Sequence, residues 1–312
     1  MDNNAKKILL SAPYMLQEGS MFDDFFREHN LSVTRADIIE HMSEEELLEV
    51  IEEFDGAICG DDPFTRAVFE KAKKLKVLCK WGTGINTIDL NAAAEFGVKV
   101  CNTPNAFSHP LAETVMGYML NSVRNITVST EEMKRGIWSK IRCFTLSERT
   151  LGIIGIGNVG TQVAKRAAAF GMRILGNDIR SIAPIILEQY GIEMVSKQEI
   201  YEQADFITIH CDLNETSYHL FDKTAFNAMK RKPFIINTAR GGHIEHSALL
   251  YALKNKLISG AGLDVFETEP LPKDDELLTF ENVFLAPHNS NSSPKYWNMV
   301  HKNTLKNLIE NL

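Results

Sequence analysis

Three glycines and one acid carry the first readable chemistry. Gly155-x-Gly157-x-x-Gly160 follows the apolar run Leu151-Gly-Ile-Ile and opens a small-residue stretch reaching Phe170, after which a second apolar run from Met172 ends in Asp178. Gly155 allows a tight turn, Gly157 lets the backbone approach a pyrophosphate, and Gly160 lets a helix pack closely on a strand. The start of that helix presents N–H groups without intrahelical partners and the positive end of the helix dipole, both suited to phosphates. Strand, turn, helix, strand and acid together predict a complete dinucleotide-binding unit, which a bare glycine pattern would not.

The elements that must position this unit follow from the hydrophobic pattern. Strand-like runs at Lys7 to Ala12, Val33 to Ala36, Gly56 to Cys59, Leu75 to Trp81 and Val98 to Cys101 alternate with helical stretches. That pattern predicts parallel βαβ units with ligands at the strand C-termini. Ser43-Glu-Glu-Glu reads as a helix start, with acids at the positive end of the dipole. Pro110 to about Val128 reads as a long apolar helix, continued by a more polar one from Thr130 to Trp138. Beyond Asp178, runs at Glu193 to Val195, Asp205 to His210, Phe234 to Thr238, Gly260 to Val265 and Val283 to Ala286 complete a second, doubly wound sheet of about seven strands. A last helix is expected from Pro294 to Leu312.

Composition narrows the function. The 312 residues are 44% hydrophobic and 24% charged, as in a soluble globular protein with room for two α/β domains. A net charge of −8 and a pI near 5.7 argue against nucleic acid or an anionic membrane as the main partner. Neither a signal peptide nor a membrane span is visible, so the protein is expected in the cytoplasm. Cys59, Cys79, Cys101, Cys143 and Cys211 lack metal-site spacing and read as reduced, structural thiols.

Gly82-Thr-Gly84-Ile-Asn-Thr-Ile-Asp89, Asn102-Thr-Pro104, the Gly155 motif, Asn237-Thr-Ala-Arg-Gly241, Gly262-Leu-Asp264-Val-Phe-Glu-Thr-Glu269-Pro270 and Pro287-His288 occur in this order along the chain. In that order and spacing the chain resembles the D-isomer-specific 2-hydroxyacid dehydrogenases. The resemblance implies two doubly wound parallel-sheet domains, with a Rossmann NAD-binding domain (102–288) inserted in a flavodoxin-like substrate domain (1–101 and 289–312). It also implies NAD as cofactor, a small 2-hydroxy or 2-oxo acid as substrate, and a homodimer formed through the region 105–145.

Three residues carry the chemistry the resemblance implies. Arg240 matches the arginine that binds the substrate carboxylate and carbonyl, for which the two-pronged guanidinium is well suited. His288 matches the acid/base and Glu269 the carboxylate that holds its imidazole, since a hydride reaching a carbonyl carbon must be matched by a proton reaching the oxygen. Taken singly, these could be a surface arginine, a turn histidine and a loop acid; their joint placement after strands of one sheet favours function. On the cofactor side the resemblance assigns Gly155, Gly157 and Gly160, the Asn158 and Val159 N–H groups at the pyrophosphate, and Asp178 at the adenosine ribose. Asp178 favours NAD over NADP, and Arg180 could soften that preference. His210, Cys211, Thr238 and Ala239 are expected to line the crevice, and Asp264 to contact the nicotinamide carboxamide or serve as a loop acid.

On the substrate side, the N–H groups of Thr83 and Gly84 resemble the loop that holds the carboxylate. Lys80 stands either at the substrate or at a solvated strand end. The chain also departs from the family pattern. Asp212 replaces a usual proline, Asn289-Ser290-Asn291-Ser292 replaces a small glycine-containing run, and Gly60-Asp61-Asp62-Pro63 stands where phosphoglycerate dehydrogenases carry an arginine. Two acids there are expected to repel a phosphorylated substrate. Two other functions share these motifs: D-3-phosphoglycerate dehydrogenase, and an NAD(H)-sensing dimeric scaffold like the C-terminal-binding corepressors.

Overall fold

The computed structural model describes residues 5–312; residues 1–4, which the sequence assigns to the first domain, lie outside the described residues. The chain divides into two compact units. One comprises the residues up to Phe107 together with Ser293–Leu312, and the other is the continuous segment Ser108–Ser292.

The discontinuous unit is built on β1 (Lys6–Leu10), β2 (Leu31–Arg35), β3 (Gly56–Cys59), β4 (Val77–Lys80) and β5 (Lys99–Cys101). They pair in parallel in the order β2-β1-β3-β4-β5, which is the flavodoxin-like order. β3 and β4 are buried along their whole length, which is why they read as short continuous apolar runs. The helix Glu44–Val50 begins with a reciprocal capping box between Ser43 and Glu46. The last helix, Pro294–Asn311, packs over β3 and β4 and buries Val300, His301, Thr304, Leu305 and Leu308. A Cβ added to Gly56 would come within 3.1 Å of Leu308, so the glycine brings this helix close to the sheet.

The continuous unit holds β6 (Thr150–Ile154), β7 (Arg173–Asn177), β8 (Ile192–Met194), β9 (Phe206–Ile209), β10 (Phe234–Asn237), β11 (Gly260–Leu263) and β12 (Val283–Leu285). Its seven-stranded parallel sheet runs β12-β11-β10-β9-β6-β7-β8, the doubly wound dinucleotide-binding order with one further strand at the edge. Strand order reverses between β6 and β9, whose C-terminal ends lie side by side through the Ile154–Ile209 pairing. That reversal is where ligands bind in open α/β sheets.

The connecting helix ends earlier than its apolar pattern predicts. It spans Ser108–Arg124, then Asn125 takes a left-handed conformation at φ 49°, and a second helix covers Ile126–Lys134. Asparagine tolerates that conformation better than other non-glycine residues, so it can end a helix inside an apolar run. Among the described residues, no helix is long and apolar enough to cross a membrane.

Candidate active site

The turn after β6 is shaped as its glycines require. Gly155 has a φ of 95°, and a Cβ there would lie 2.5 Å from the backbone nitrogen of Cys211, at the end of the neighbouring β9. A Cβ on Gly160 would lie 2.1 Å from the carbonyl oxygen of Gly155, so the helix Asn158–Ala169 can sit this close only with glycine there. Among the described residues, an added Cβ on Gly157 would meet the Arg180 guanidinium at 3.6 Å and nothing else within 4 Å, so the backbone is open to a pyrophosphate. Gly157 is the N-cap of that helix and offers no side chain to its N–H groups. Thr238, after β10, has a buried hydroxyl with no hydrogen-bond partner among the described residues. An open glycine cradle, a helix N-terminus and an orphaned hydroxyl all fit a dinucleotide.

Asp178 follows β7 and closes the cradle. One carboxylate oxygen accepts from the Ile156 N–H at 2.7 Å and the other from the Arg180 N–H at 2.8 Å, while the Arg180 side chain pairs with it at 3.2 Å. Burial pushes its carboxyl up, but the Arg180 hydrogen bonds outweigh this and hold it below the usual range. Arg180 is exposed and can swing, so it tempers the repulsion Asp178 would exert on a 2′-phosphate. NADH is therefore expected to give a higher kcat/KM than NADPH, and Arg180→Ala to widen the gap several-fold. Equal efficiencies with the two cofactors in the wild type would remove Asp178 from the ribose site.

Arg240, Glu269 and His288 lie on the loops that follow β10, β11 and β12. His288 Nδ1 lies 2.9 Å from Glu269 Oε2, and Glu269 Oε1 accepts from the Phe266 N–H at 2.8 Å, so the carboxylate is fixed on both sides. The carboxylate holds Nδ1 and so sets the orientation of the ring. Arg240 follows β10 in an extended conformation, and its carbonyl accepts from Asn237 Nδ2 at 2.8 Å. The next residue, Gly241, packs so tightly on the Phe266–Glu267 peptide that a Cβ would fall 1.9 Å from the Phe266 carbonyl. The arginine turn and the turn bearing Glu269 are thereby locked together.

Asp264 sits beneath this group and is wholly buried. Its oxygens accept from the Asn289 N–H at 2.7 Å, the Ser290 N–H at 2.9 Å and the Ser290 hydroxyl, and its own carbonyl accepts from the His288 N–H at 2.8 Å. Burial raises its carboxyl, and the Ser290 and Asn289 hydrogen bonds oppose that rise. These bonds hold His288 at a φ of 49°, a left-handed conformation that L residues adopt at a cost of about 1–2 kcal/mol. Asp264 thus anchors the histidine loop. Asn289 and Ser290, which stand in place of the usual small glycine-containing run, bind this carboxylate.

His210 and Cys211 flank Gly155. His210 bonds Thr208 at 2.9 Å, and burial pushes its imidazolium down to about 3, so the ring is neutral. Ala239 donates its N–H to Asn237 Oδ1 at 3.0 Å. The sequence does not mark His243, and it shows Asn237 and Ser290 only as members of a motif and of a departure from the family pattern; each acts through a loop contact that only the folded chain creates.

In the discontinuous unit, Gly82 turns the chain at a φ of 115° after β4. The following loop is tied down by the Thr83 hydroxyl on the Thr103 carbonyl at 3.0 Å and by Asn102 on the Thr83 carbonyl at 2.7 Å, which fixes the segment leading to Gly84. Lys80 is not a solvated strand end: its side chain is 5% exposed, pairs with Asp61 at 3.2 Å and donates to the Trp81 carbonyl. Asp62 is wholly buried and accepts from the Met42 N–H at 2.9 Å and the Gly60 N–H at 2.7 Å. Of the two acids that the sequence sets against a phosphorylated substrate, Asp62 is turned into its own loop and Asp61 is paired with Lys80.

Residues 116–290 match the family described as D-isomer specific 2-hydroxyacid dehydrogenase, NAD binding domain. The D-3-phosphoglycerate dehydrogenase of Methanocaldococcus jannaschii is 43% identical over 84% of this chain and 50% of its own, so the chain spans half the length of that relative. The hydroxypyruvate reductase of Thermotoga maritima is 38% identical over 80% of this chain and 82% of its own. Among solved structures, a glyoxylate reductase from Paecilomyes thermophila superposes with a TM-score of 0.81 at 26% identity, covering 98% of this chain and 94% of its own. With the family model matching more than half of its residues and the Thermotoga maritima relative covered to more than two thirds, the chain belongs to the D-isomer-specific 2-hydroxyacid dehydrogenase family, whose NAD-binding domain it carries.

Proposed function

We propose that the protein is an NAD-linked oxidoreductase interconverting a small D-2-hydroxy acid and its 2-oxo acid. The observation that carries this reading is the 2.9 Å contact between His288 and Glu269, locked through the Phe266 peptide to the turn bearing Arg240. When bound, NADH supplies the hydride for the carbonyl carbon. Arg240 holds the substrate carboxylate and polarises the carbonyl, His288 Nε2 delivers the proton to its oxygen, and Glu269 keeps the ring oriented through Nδ1. In oxidation the neutral imidazole removes the hydroxyl proton instead. The reading assigns Gly155, Gly157, Asn158, Val159, Asp178 and Thr238 to the cofactor, and Lys80, Thr83 and Gly84 to the substrate. The test is NADH oxidation with glyoxylate, hydroxypyruvate, pyruvate, branched 2-oxo acids and phosphohydroxypyruvate. Binding of NADH without turnover on any of them would favour the scaffold function over the enzyme.

The engagement of Asp61 by Lys80 and the burial of Asp62 support a second reading, D-3-phosphoglycerate dehydrogenase, because neither acid is left to oppose a phosphate. Phosphohydroxypyruvate as the best substrate in the same screen would decide for it.

Protonation gives a sharper test of the pair. Glu269→Gln removes the negative charge that favours the imidazolium, and reduction needs the protonated ring, so activity is high at low pH and falls as the ring deprotonates. The falling limb of kcat/KM against pH is expected to move towards acid in the glutamine variant. An unmoved limb would uncouple the two residues.

The proposal includes a homodimer through 105–145, in the cytoplasm. It is supported by the helix Ile126–Lys134, which buries none of its residues, and by Ile126, Met133, Ile137 and Trp138, all exposed. Sedimentation is expected to give a dimer that Trp138→Glu weakens; a monomer at micromolar concentration would remove this part of the reading.

A further inference from the structure

We propose that His243 is a positioning residue for Arg240, and that with Cys211 it forms a buried link from the arginine turn to the end of β9, the strand that borders the Gly155 turn. The proposal rests on Arg240 as the substrate-binding residue.

His243 closes the short helical turn Gly241–His243 directly after Arg240 and is wholly buried. Its Nδ1 lies 2.9 Å from the Arg240 carbonyl oxygen. A carbonyl can only accept, so Nδ1 carries the proton and Nε2 of the neutral ring offers a lone pair. Cys211 Sγ stands 3.6 Å from Nε2, and a thiol can donate to it. The protonation states agree, since burial pushes the His243 imidazolium down and the Cys211 thiol up to about 11. The proposed tautomer has Nδ1 donating to the Arg240 carbonyl and the thiol donating to Nε2; the Asp212 backbone also stands beside the ring.

The same carbonyl accepts from Asn237 Nδ2 at 2.8 Å and from the His243 backbone N–H at 3.3 Å. Three donors on one oxygen fix the peptide after Arg240, and with it the direction in which the arginine side chain leaves the backbone. At the far end of the link, Cys211 is the residue whose backbone nitrogen a Cβ on Gly155 would strike. The dinucleotide turn and the substrate arginine, which belong to different loops of the sheet, are therefore joined through one thiol and one imidazole.

Three replacements separate positioning from general stability. His243→Leu removes both bonds. His243→Asn places an amide donor where Nδ1 stood and keeps the Arg240 bond, whereas His243→Gln reaches towards Cys211 and loses it. Steady-state kinetics with NADH and the 2-oxo acid selected by the screen are expected to show KM for the oxo acid raised roughly five- to tenfold in His243→Leu, the loss of about one net hydrogen bond. The asparagine variant is expected near wild type and the glutamine variant near leucine, with the NADH Kd, read by fluorescence, unchanged in all three. On an Arg240→Lys background, His243→Leu should add less than about twofold, because residues acting as a unit are not additive. A wild-type KM in His243→Leu, a full additional loss on the lysine background, or a parallel loss of NADH binding overturns the proposal. If the leucine variant does not fold, equal KM values for asparagine and glutamine overturn it. If Arg240→Lys itself keeps the wild-type KM, the assignment of Arg240 fails instead, and the two failures are distinct.

Discussion

His288→Ala is expected to lower kcat for 2-oxo acid reduction by about 10²–10⁴-fold, the contribution typical of a general acid. NADH affinity should stay within about twofold, because the ring is bonded to Glu269, which lies outside the glycine cradle. The size of the effect follows from how thoroughly the ring is prepared. Glu269 fixes Nδ1 at 2.9 Å, Glu269 is itself fixed by the Phe266 N–H, and Asp264 holds the loop through Asn289 and Ser290. Of the neighbouring imidazoles, His243 is buried and engaged with Cys211 and Arg240, and His210 is neutral and bonded to Thr208. Asparagine at 288 is the proper control, because it tolerates the φ of 49° and keeps the loop while removing the acid. Single-turnover NADH oxidation measures the step, and a loss smaller than tenfold in both variants would send the proton to another group.

Arg240→Lys is expected to cost on the order of 100-fold in kcat/KM for the oxo acid, carried mainly by KM. A lysine keeps the charge but cannot reproduce a two-pronged contact with a carboxylate, and misplacement of a substrate by about 1 Å is enough for a loss of this size. The arginine backbone will not adjust to help. Its carbonyl is held by Asn237 and His243, and Gly241 is pressed against the Phe266 peptide. NADH binding, measured by fluorescence, should barely change. A lysine variant with near wild-type efficiency would take Arg240 out of the site.

Strands buried on both faces were the most legible elements. Gly56–Cys59 and Phe234–Asn237 stand out as short apolar runs because a central parallel strand has no polar face to show. Short helices were harder to read: Pro184–Tyr190 and Lys223–Ala228 are too brief to show a helical period. The capping box of Ser196 and Glu199 did mark the start of Lys197–Gln203 for a reader looking for it. At the site, residue types were legible but partners were not. Asp61 and Asp62 show their charge in the sequence, yet nothing there shows that one meets Lys80 and the other turns towards Met42 and Gly60. Asp264 likewise reads as an acid near the cofactor, while its grip on Asn289 and Ser290 depends on two loops meeting at the end of the sheet.

The two-part composition of the flavodoxin-like unit inverts its order of synthesis and its order of completion. Its five strands are all made before Ser108, but the helix that covers β3 and β4 is Pro294–Asn311. The Trp81 indole finds its partner, His301, 220 residues later, at 2.9 Å. Until that helix leaves the ribosome, the faces of β3 and β4 it will cover stay bare, while the uninterrupted segment Ser108–Ser292 already contains every strand of its own sheet. The dinucleotide-binding unit can therefore close before its host, and its closing shortens the stretch of loose chain over which the two parts of the host must find each other, a loop-closure cost that grows slowly with length. The nascent chain, for that interval, is a finished nucleotide-binding unit tethered to an unfinished sheet.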